Sequence, residues 1–379
     1  MPARRSLTVA ALSMETPSQI TNRTHLLDLD RDALLARFAE KGAPSFRTKQ
    51  ILEWVYERGA TSFEQMTNLS KPMRETLAGE FDLYQSEIIR RAVSSDGTVK
   101  LLLRWPDGAT SECVMIPAET RRTACISSQV GCPAGCRFCA SGLGGLERNL
   151  TTGQIVEQVL RVSAEATASG ARLSNVVFMG LGEPLANYDA VMRAVRTINA
   201  DWGPNIGARK ITISTVGLPK QIRRLADEGL QLNLALSLHA PTDALRAELI
   251  PWAEKITITE LVSACRYYFD KTGREITLEY ILLSGVNDRP VHASQLARFA
   301  RQVRCNVNLL RYNPVEGLPY ERPTSEAAHA FVRELRDQGV NAHIRTSRGL
   351  DIDAACGQLR RKTQQEATVP LAVGQSAAD

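Results

Sequence analysis

Thr123-Ala124-Cys125-Ile126-Ser127-Ser128-Gln129-Val130-Gly131-Cys132-Pro133-Ala134-Gly135-Cys136-Arg137-Phe138-Cys139 holds a short apolar run and then a loop unlike anything else in the chain. Ala124–Ser128 predicts a buried strand. The loop that follows carries Cys132, Cys136 and Cys139 in C-x₃-C-x₂-C spacing, with Gly131, Pro133 and Gly135 among them and Phe138 beside the last cysteine. A strand that ends in a reactive loop is the pattern of a βα unit, whose chemistry gathers at the strand's C-terminal end.

Six more apolar, β-branched runs alternate with helical stretches: Val176–Met179, Lys210–Thr215, Leu232–Leu238, Ile276–Leu283, Val307–Tyr312 and Val340–Arg345. Strands alternating with helices predict a parallel sheet, here an α/β fold built as a partial (βα)₆ barrel over residues 121–359. Nearly every run ends in polar or unusual residues, among them Gly182-Glu183, Ser214-Thr215, Ser237-Leu238-His239 and Asn313-Pro314. A sheet with no chemistry to perform has no need of them.

Before the barrel, residues 25–85 read as a small helical domain. Asp30 caps Arg31–Lys41, Phe46 to Arg58 is a second amphipathic run, and Pro72 sits in the first turn of a third. Residues 86–120 are β-rich and broken by Asp96-Gly97 and Pro106-Asp107-Gly108, predicting a three-stranded meander packed on the barrel. Residues 1–24 and 360–379 lack periodicity and read as disordered tails; Met14 offers a second start. The apolar run from Leu7 to Leu12 is too short and broken for a convincing signal peptide.

With 44% hydrophobic and 23% charged residues among 379, the composition is that of a globular protein, and no stretch is long and apolar enough to cross a bilayer. The net charge of +5 leans weakly toward a polyanionic partner. Eight cysteines could staple a secreted chain, but the three in the loop are too close together to pair without strain. They read as metal ligands, which predicts a reducing, cytoplasmic location. Three thiolates can hold three irons of a cubane cluster and leave the fourth open to an outside ligand. The competing reading, a structural zinc, needs a fourth ligand and usually a second C-x₂-C knuckle.

The cysteine spacing resembles that of the radical S-adenosylmethionine superfamily. Its flanks narrow the resemblance: the residues from Thr123 to Cys132, Phe178-Met179-Gly180-Leu181-Gly182-Glu183-Pro184-Leu185, and Arg348-Gly349-Leu350-Asp351-Ile352-Asp353-Ala354-Ala355-Cys356-Gly357-Gln358-Leu359. Together, from about residue 25 to 360, they resemble the RlmN-type 23S rRNA and tRNA adenine carbon-2 methyltransferases. The Cfr type, which acts at carbon 8, shares the same motifs.

The resemblance implies one [4Fe-4S] cluster on Cys132, Cys136 and Cys139 and two S-adenosylmethionine molecules per turnover. It implies that Cys356 carries the methyl group as S-methylcysteine, that Cys125 resolves the protein–RNA crosslink through a disulfide with Cys356, and that Glu112 accepts a proton. Cofactor contacts are implied for Gly182, Glu183, Ser214, Ser237, Leu238, His239 and Asn313. The partners implied are 23S rRNA, tRNA and an electron donor such as flavodoxin with its reductase, with the enzyme a monomer and no membrane involved.

Each residue also has a plainer reading. Cys125 in a strand and Cys356 near the chain end could be buried packing residues, as Cys113, Cys265 and Cys305 are expected to be. Glu112 alone is a solvent-facing strand carboxylate, and His239 alone a structural histidine. Arg121-Arg122, Arg137, Arg148, Arg209-Lys210, Arg345 and Arg348 are placed near the barrel mouth, where they could hold phosphates, though solvated arginines are commoner. Two other functions compete: methylation at carbon 8, and a non-catalytic, metal-binding RNA-binding protein.

Overall fold

The seven apolar runs form seven parallel strands, whose apolar side chains are buried in a sheet covered by the connecting helices. The computed structural model describes residues 23–359. The tail expectations fall almost wholly outside those residues; Thr24, within them, is already paired with Phe81.

Two short parallel strands, β1 (Thr24–His25) and β2 (Phe81–Asp82), bracket the N-terminal helices α1 (Arg31–Ala39), α2 (Phe46–Leu52) and α3 (Lys71–Glu80). Asp30 caps α1 by accepting from the Ala33 amide at 2.8 Å. The second amphipathic run continues past α2 as a π-helical turn over Glu53–Glu57. Leu34, Phe38, Ile51, Met66 and Leu77 form this module's core.

The meander strands β3 (Glu87–Val93), β4 (Val99–Arg104) and β5 (Thr110–Pro117) are antiparallel, and β5 pairs antiparallel with β6 (Arg122–Cys125). The meander therefore extends the barrel sheet by hydrogen bonding. A hairpin, β7 (Gln129–Gly131) with β8 (Leu146–Asn149), brackets the cysteine loop. Six strand–helix units then run through α4 (Thr152–Ala168), β9 (Asn175–Phe178), α5 (Tyr188–Asn199), β10 (Ile211–Thr215), α6 (Pro219–Ala226), β11 (Asn233–Ser237), α7 (Asp243–Leu249), α8 (Ile258–Thr272), β12 (Ile276–Leu282), α9 (Pro290–Ala300), β13 (Cys305–Arg311) and α10 (Ser325–Asp337), ending at β14 (Ala342–Arg345).

The order β14-β13-β12-β11-β10-β9-β6-β5-β4-β3 makes one ten-stranded sheet. It is an open arc with β14 and β3 as its edges among the described residues, a partial barrel with the predicted six βα units. Leu234, Ala235, Leu236, Ile211 and Ile213 have no exposed surface. Burial of each Leu or Ile contributes about 1.5–3 kcal/mol. No helix among the described residues is long and apolar enough to cross a membrane.

Residues 349–359 span the open side of the arc. At one end the Gly349 amide donates to Asp96 Oδ2 of the β3–β4 turn at 3.0 Å. At the other, Ser141 Oγ, just past the cysteine loop, donates to the Leu359 carbonyl at 2.7 Å.

Candidate active site

A cavity opens at the C-terminal ends of the parallel strands. Cys132, Cys136 and Cys139 line it together with Gly182, Glu183, Ser214, Ser237 and His239, so most of the residues singled out in the sequence share one space. The Cys132 amide bonds the Gly145 carbonyl at 3.0 Å and the Cys139 amide bonds the Cys136 carbonyl at 3.1 Å, which folds the loop back on itself. Gly131 is in the left-handed region at φ 76°, and a Cβ there would lie against the Gly145 carbonyl, so only glycine fits.

The donor set fits an iron–sulfur cluster better than zinc. A single tetrahedral zinc would draw its sulfurs to about 3.8 Å of one another. Among the described residues no three His, Cys, Asp or Glu side chains are gathered to hold one ion. A cubane distributes its cysteines over separate irons. Burial pushes the Cys132 thiol up to about 12 and raises that of Cys136 well above the usual thiol range, so each keeps its proton until a cation replaces it.

Glu183 is 2% exposed. Its carboxylate accepts from the Leu185 amide at 3.0 Å and the Val216 amide at 2.8 Å, yet burial still pushes it up to about 7. A buried carboxylate fixed in place without a cation suits a ligand ammonium. Gly182 beside it has φ 104°, and a Cβ would sit 2.7 Å from both Gln129 Cβ and Ser128 Oγ. The backbone packs too closely there for any other residue.

Ser214 and Ser237 touch through their hydroxyls at 3.2 Å. His239 adopts φ 57°, and its Nδ1 accepts from the Ile281 amide at 3.1 Å. Its proton therefore rests on Nε2, and burial lowers the imidazole to about 3, keeping it neutral. Phe138 meets the ring edge-on at 5.0 Å.

Leu238 and Asn313, expected among the cofactor contacts, lie behind the cavity lining. Leu238 is fully buried; its amide donates to the Glu279 carbonyl at 3.0 Å and its carbonyl accepts from Ala240. Asn313 Nδ2 donates to the Cys356 carbonyl at 3.2 Å, and its Oδ1 accepts from Ser347 Oγ at 2.9 Å. Asn313 thus holds the loop that carries Cys356.

A second cavity adjoins the first along the open side of the arc. Cys125 lines only the second, whereas Met179, Leu310, Arg345 and Cys356 line both. Cys356 stands in the shared wall. Burial pushes the Cys125 thiol up to about 12, the nearby Cys356 sulfur adds to this, and the Arg345 guanidinium opposes it. The structure thus brings the two distant cysteines to one place, with a cation facing both.

Glu112 lies elsewhere on the same sheet face. Val114 pairs with Cys125, and Glu112 is two residues along from Val114, about 7 Å down the strand. It is 1% exposed, not solvent-facing, and lines a separate small cavity with Lys100, Arg90 and Asp353.

The arginines scatter. Arg121, Arg345 and Arg348 line the second cavity. Arg148 pairs with Asp107. Arg209 and Lys210 precede β10, which puts them at the opposite end of the barrel from the mouth. Sequence reasoning missed Glu279, a buried carboxylate on the cavity floor that accepts from Asn308 Nδ2 at 3.1 Å. The signal was present: an acidic residue inside the otherwise apolar run Ile276–Leu283.

Two family models match the chain, "Ribosomal RNA large subunit methyltransferase N-terminal domain" over residues 24–82 and "Radical SAM superfamily" over residues 126–296. A probable dual-specificity RNA methyltransferase RlmN from Thermosynechococcus vestitus is 49% identical over 89% of this chain and 98% of its own. The protein of the same description from Halalkalibacterium halodurans is 44% identical over 93% and 97%. The crystal structure of a radical SAM methyltransferase from Sphaerobacter thermophilus superposes with a TM-score of 0.88 at 46% identity, covering 89% of this chain and 99% of that one.

Proposed function

This chain belongs to the RlmN family of radical SAM proteins, and on that premise we propose that it methylates carbon 2 of a specific adenine in 23S rRNA and in tRNA, with Cys356 as the methyl carrier. The observation that carries the reading is the position of Cys356 in the wall between two cavities, one lined by the cluster cysteines and the other by Cys125. A sulfur so placed can take a methyl group on one side and present it to a base on the other.

Carbon 2 of adenine is not nucleophilic, so polar transfer has no path. Bound in the first cavity through Cys132, Cys136 and Cys139, the cluster and S-adenosylmethionine supply a transferable methyl group and a radical able to activate it. Glu183 pairs with the cofactor's ammonium, Gly182 lets the backbone approach, and Ser214 with Ser237 offers hydroxyls. His239, protonated on Nε2 only, donates a hydrogen bond and brings no charge. Once a hydrogen atom has been removed from its S-methyl group, Cys356 would add that carbon to the base. Cys125 would then take the ring proton as one electron returns to the cluster, and attack of Cys125 on the Cys356 sulfur would form the disulfide as the carbon–sulfur bond breaks and the released carbon takes up a proton.

The base must leave its stack to reach the second cavity, at a cost of a few kcal/mol that is least in loops. Arg121 and Arg348, lining that cavity, suit phosphates beside a flipped nucleotide. The reading includes a monomer in the cytoplasm served by a flavodoxin-type electron donor.

The test is to express the chain in a bacterial host lacking its own adenine-carbon methyltransferase, then digest 23S rRNA and tRNA separately and identify methyladenosines by mass spectrometry. 2-Methyladenosine in both pools is expected. 8-Methyladenosine would move the protein to the Cfr type. A purified protein that binds zinc and never cleaves S-adenosylmethionine would overturn the catalytic reading.

A further inference from the structure

Lys100 and Glu112 form a buried ion pair beneath the segment that carries Cys356. Lys100 Nζ lies 3.2 Å from Glu112 Oε1 and donates to the carbonyl of Asp353 at 2.9 Å. The two charged side chains are 8% and 1% exposed. Register explains the meeting: Lys100 pairs with Val114 and Leu102 with Glu112, so the charges are diagonal neighbours on one face of β4 and β5. That face is the one Cys125 also occupies, and residues 349–359 pass over it.

We propose that Lys100, oriented by Glu112, is a positioning residue for Cys356, and that Glu112 serves the reaction through this clamp and not as a proton acceptor. The inference rests on the methyl-carrier reading of Cys356. Asp353 is one of three non-glycine residues among those described with positive φ, at 52°, which aims its carbonyl at Lys100 and turns the chain toward the cysteine three residues on. The Ala354 amide then returns to the Gly349 carbonyl at 2.9 Å, closing a tight turn. Beyond it, Asn313 holds the carbonyl of Cys356, and the Ala140 amide holds that of Gly357 at 2.8 Å.

Cys356 is thus suspended between two clamps, one built on the meander and one on the cysteine loop. Release of the meander clamp would let the left-handed turn relax and the sulfur leave the shared wall. The carboxylate of Glu112 is poorly placed for direct chemistry. Its cavity shares no lining residue with the one that contains Cys125. A group that touches neither cysteine's cavity acts through what it holds.

The test uses the full-length protein, as purified and after cluster reconstitution, with Lys100→Met, Lys100→Gln, Glu112→Gln and the Lys100→Met/Glu112→Gln double variant. Two readouts are taken: alkylation of Cys356 by iodoacetamide without cofactor, and S-methylation of Cys356 with S-adenosylmethionine, both by peptide mass spectrometry. Expected are alkylation faster by at least threefold and methylation slower by at least tenfold in each single variant, with the double variant no worse than the singles. Uncoupled cleavage of S-adenosylmethionine stays within twofold in the Lys100 variants, and Lys100→Arg recovers at least half of the methylation. Wild-type rates at Cys356 in Glu112→Gln, together with accumulation of an RNA crosslink, would restore the proton-acceptor role and overturn the proposal. Should the wild-type protein never carry methyl on Cys356, the methyl-carrier reading fails alone, and unchanged alkylation in Lys100→Gln would still refute the clamp.

Discussion

Asn313 Nδ2 and the backbone carbonyl of Cys356 are joined by a 3.2 Å hydrogen bond, so the loop after the sixth barrel strand fixes the proposed methyl carrier. Asn313 is 2% exposed, and its removal strands that carbonyl at a cost of about 1–3 kcal/mol. Asn313→Ala is expected to slow RNA methylation by roughly 10–100-fold while the KM for S-adenosylmethionine moves much less. Steady-state kinetics on an RNA hairpin decide it; a change confined to KM would assign Asn313 to cofactor binding instead.

Replacing either proposed redox cysteine should stop turnover at different points. Cys356→Ala is expected to abolish methylation while leaving slow cleavage of S-adenosylmethionine. Cys125→Ala should accumulate a covalent RNA adduct visible as a shifted band on a denaturing gel. Normal turnover by Cys125→Ala would remove its resolving role.

His239 gives a pH signature. Its folded value of about 3 lies below the unfolded value of 6.5, so the unfolded chain binds the proton first. The stability it contributes is complete above pH 6.5 and is lost as pH falls toward 3, at about 1.4 kcal/mol per pH unit. His239→Asn keeps an acceptor for the Ile281 amide and tolerates positive φ. Urea unfolding between pH 6 and 4 should show a shallower loss in this variant than in wild type; parallel slopes would refute the assignment.

Gly182→Ala tests the backbone cradle. The added Cβ meets Gln129 and Ser128 at 2.7 Å in a conformation that L-residues avoid. The expected cost is about 2–4 kcal/mol in unfolding free energy. Loss of S-adenosylmethionine binding by calorimetry should accompany it. Wild-type stability with intact binding would mean that the loop has room to move.

The parallel strands are legible because apolar residues crowd each short run between helical stretches, as Leu232, Leu234, Ala235, Leu236 and Leu238 do. The loop of the proposed cluster ligands is legible because Cys132, Cys136 and Cys139 are local in sequence. What escaped depends on distance along the chain. Lys100 reaches Asp353 across 253 residues, and no local pattern marks either one. Asn313 matched a motif, but its partner emerged only with the fold. Arg209 and Lys210, expected near the mouth, precede the parallel strand Ile211–Thr215 and so lie at the barrel's other end.

The segment that closes the open arc also sets an order in time. On a ribosome the cluster cysteines emerge first, and 217 positions separate Cys139 from Cys356. At bacterial elongation rates that gap is roughly 10–40 s. During it the nascent chain holds the proposed cluster ligands and the first barrel strands but not the proposed methyl carrier. On the proposed roles, a chain cut short before Gly349 would keep the three cluster ligands and lack the methyl carrier.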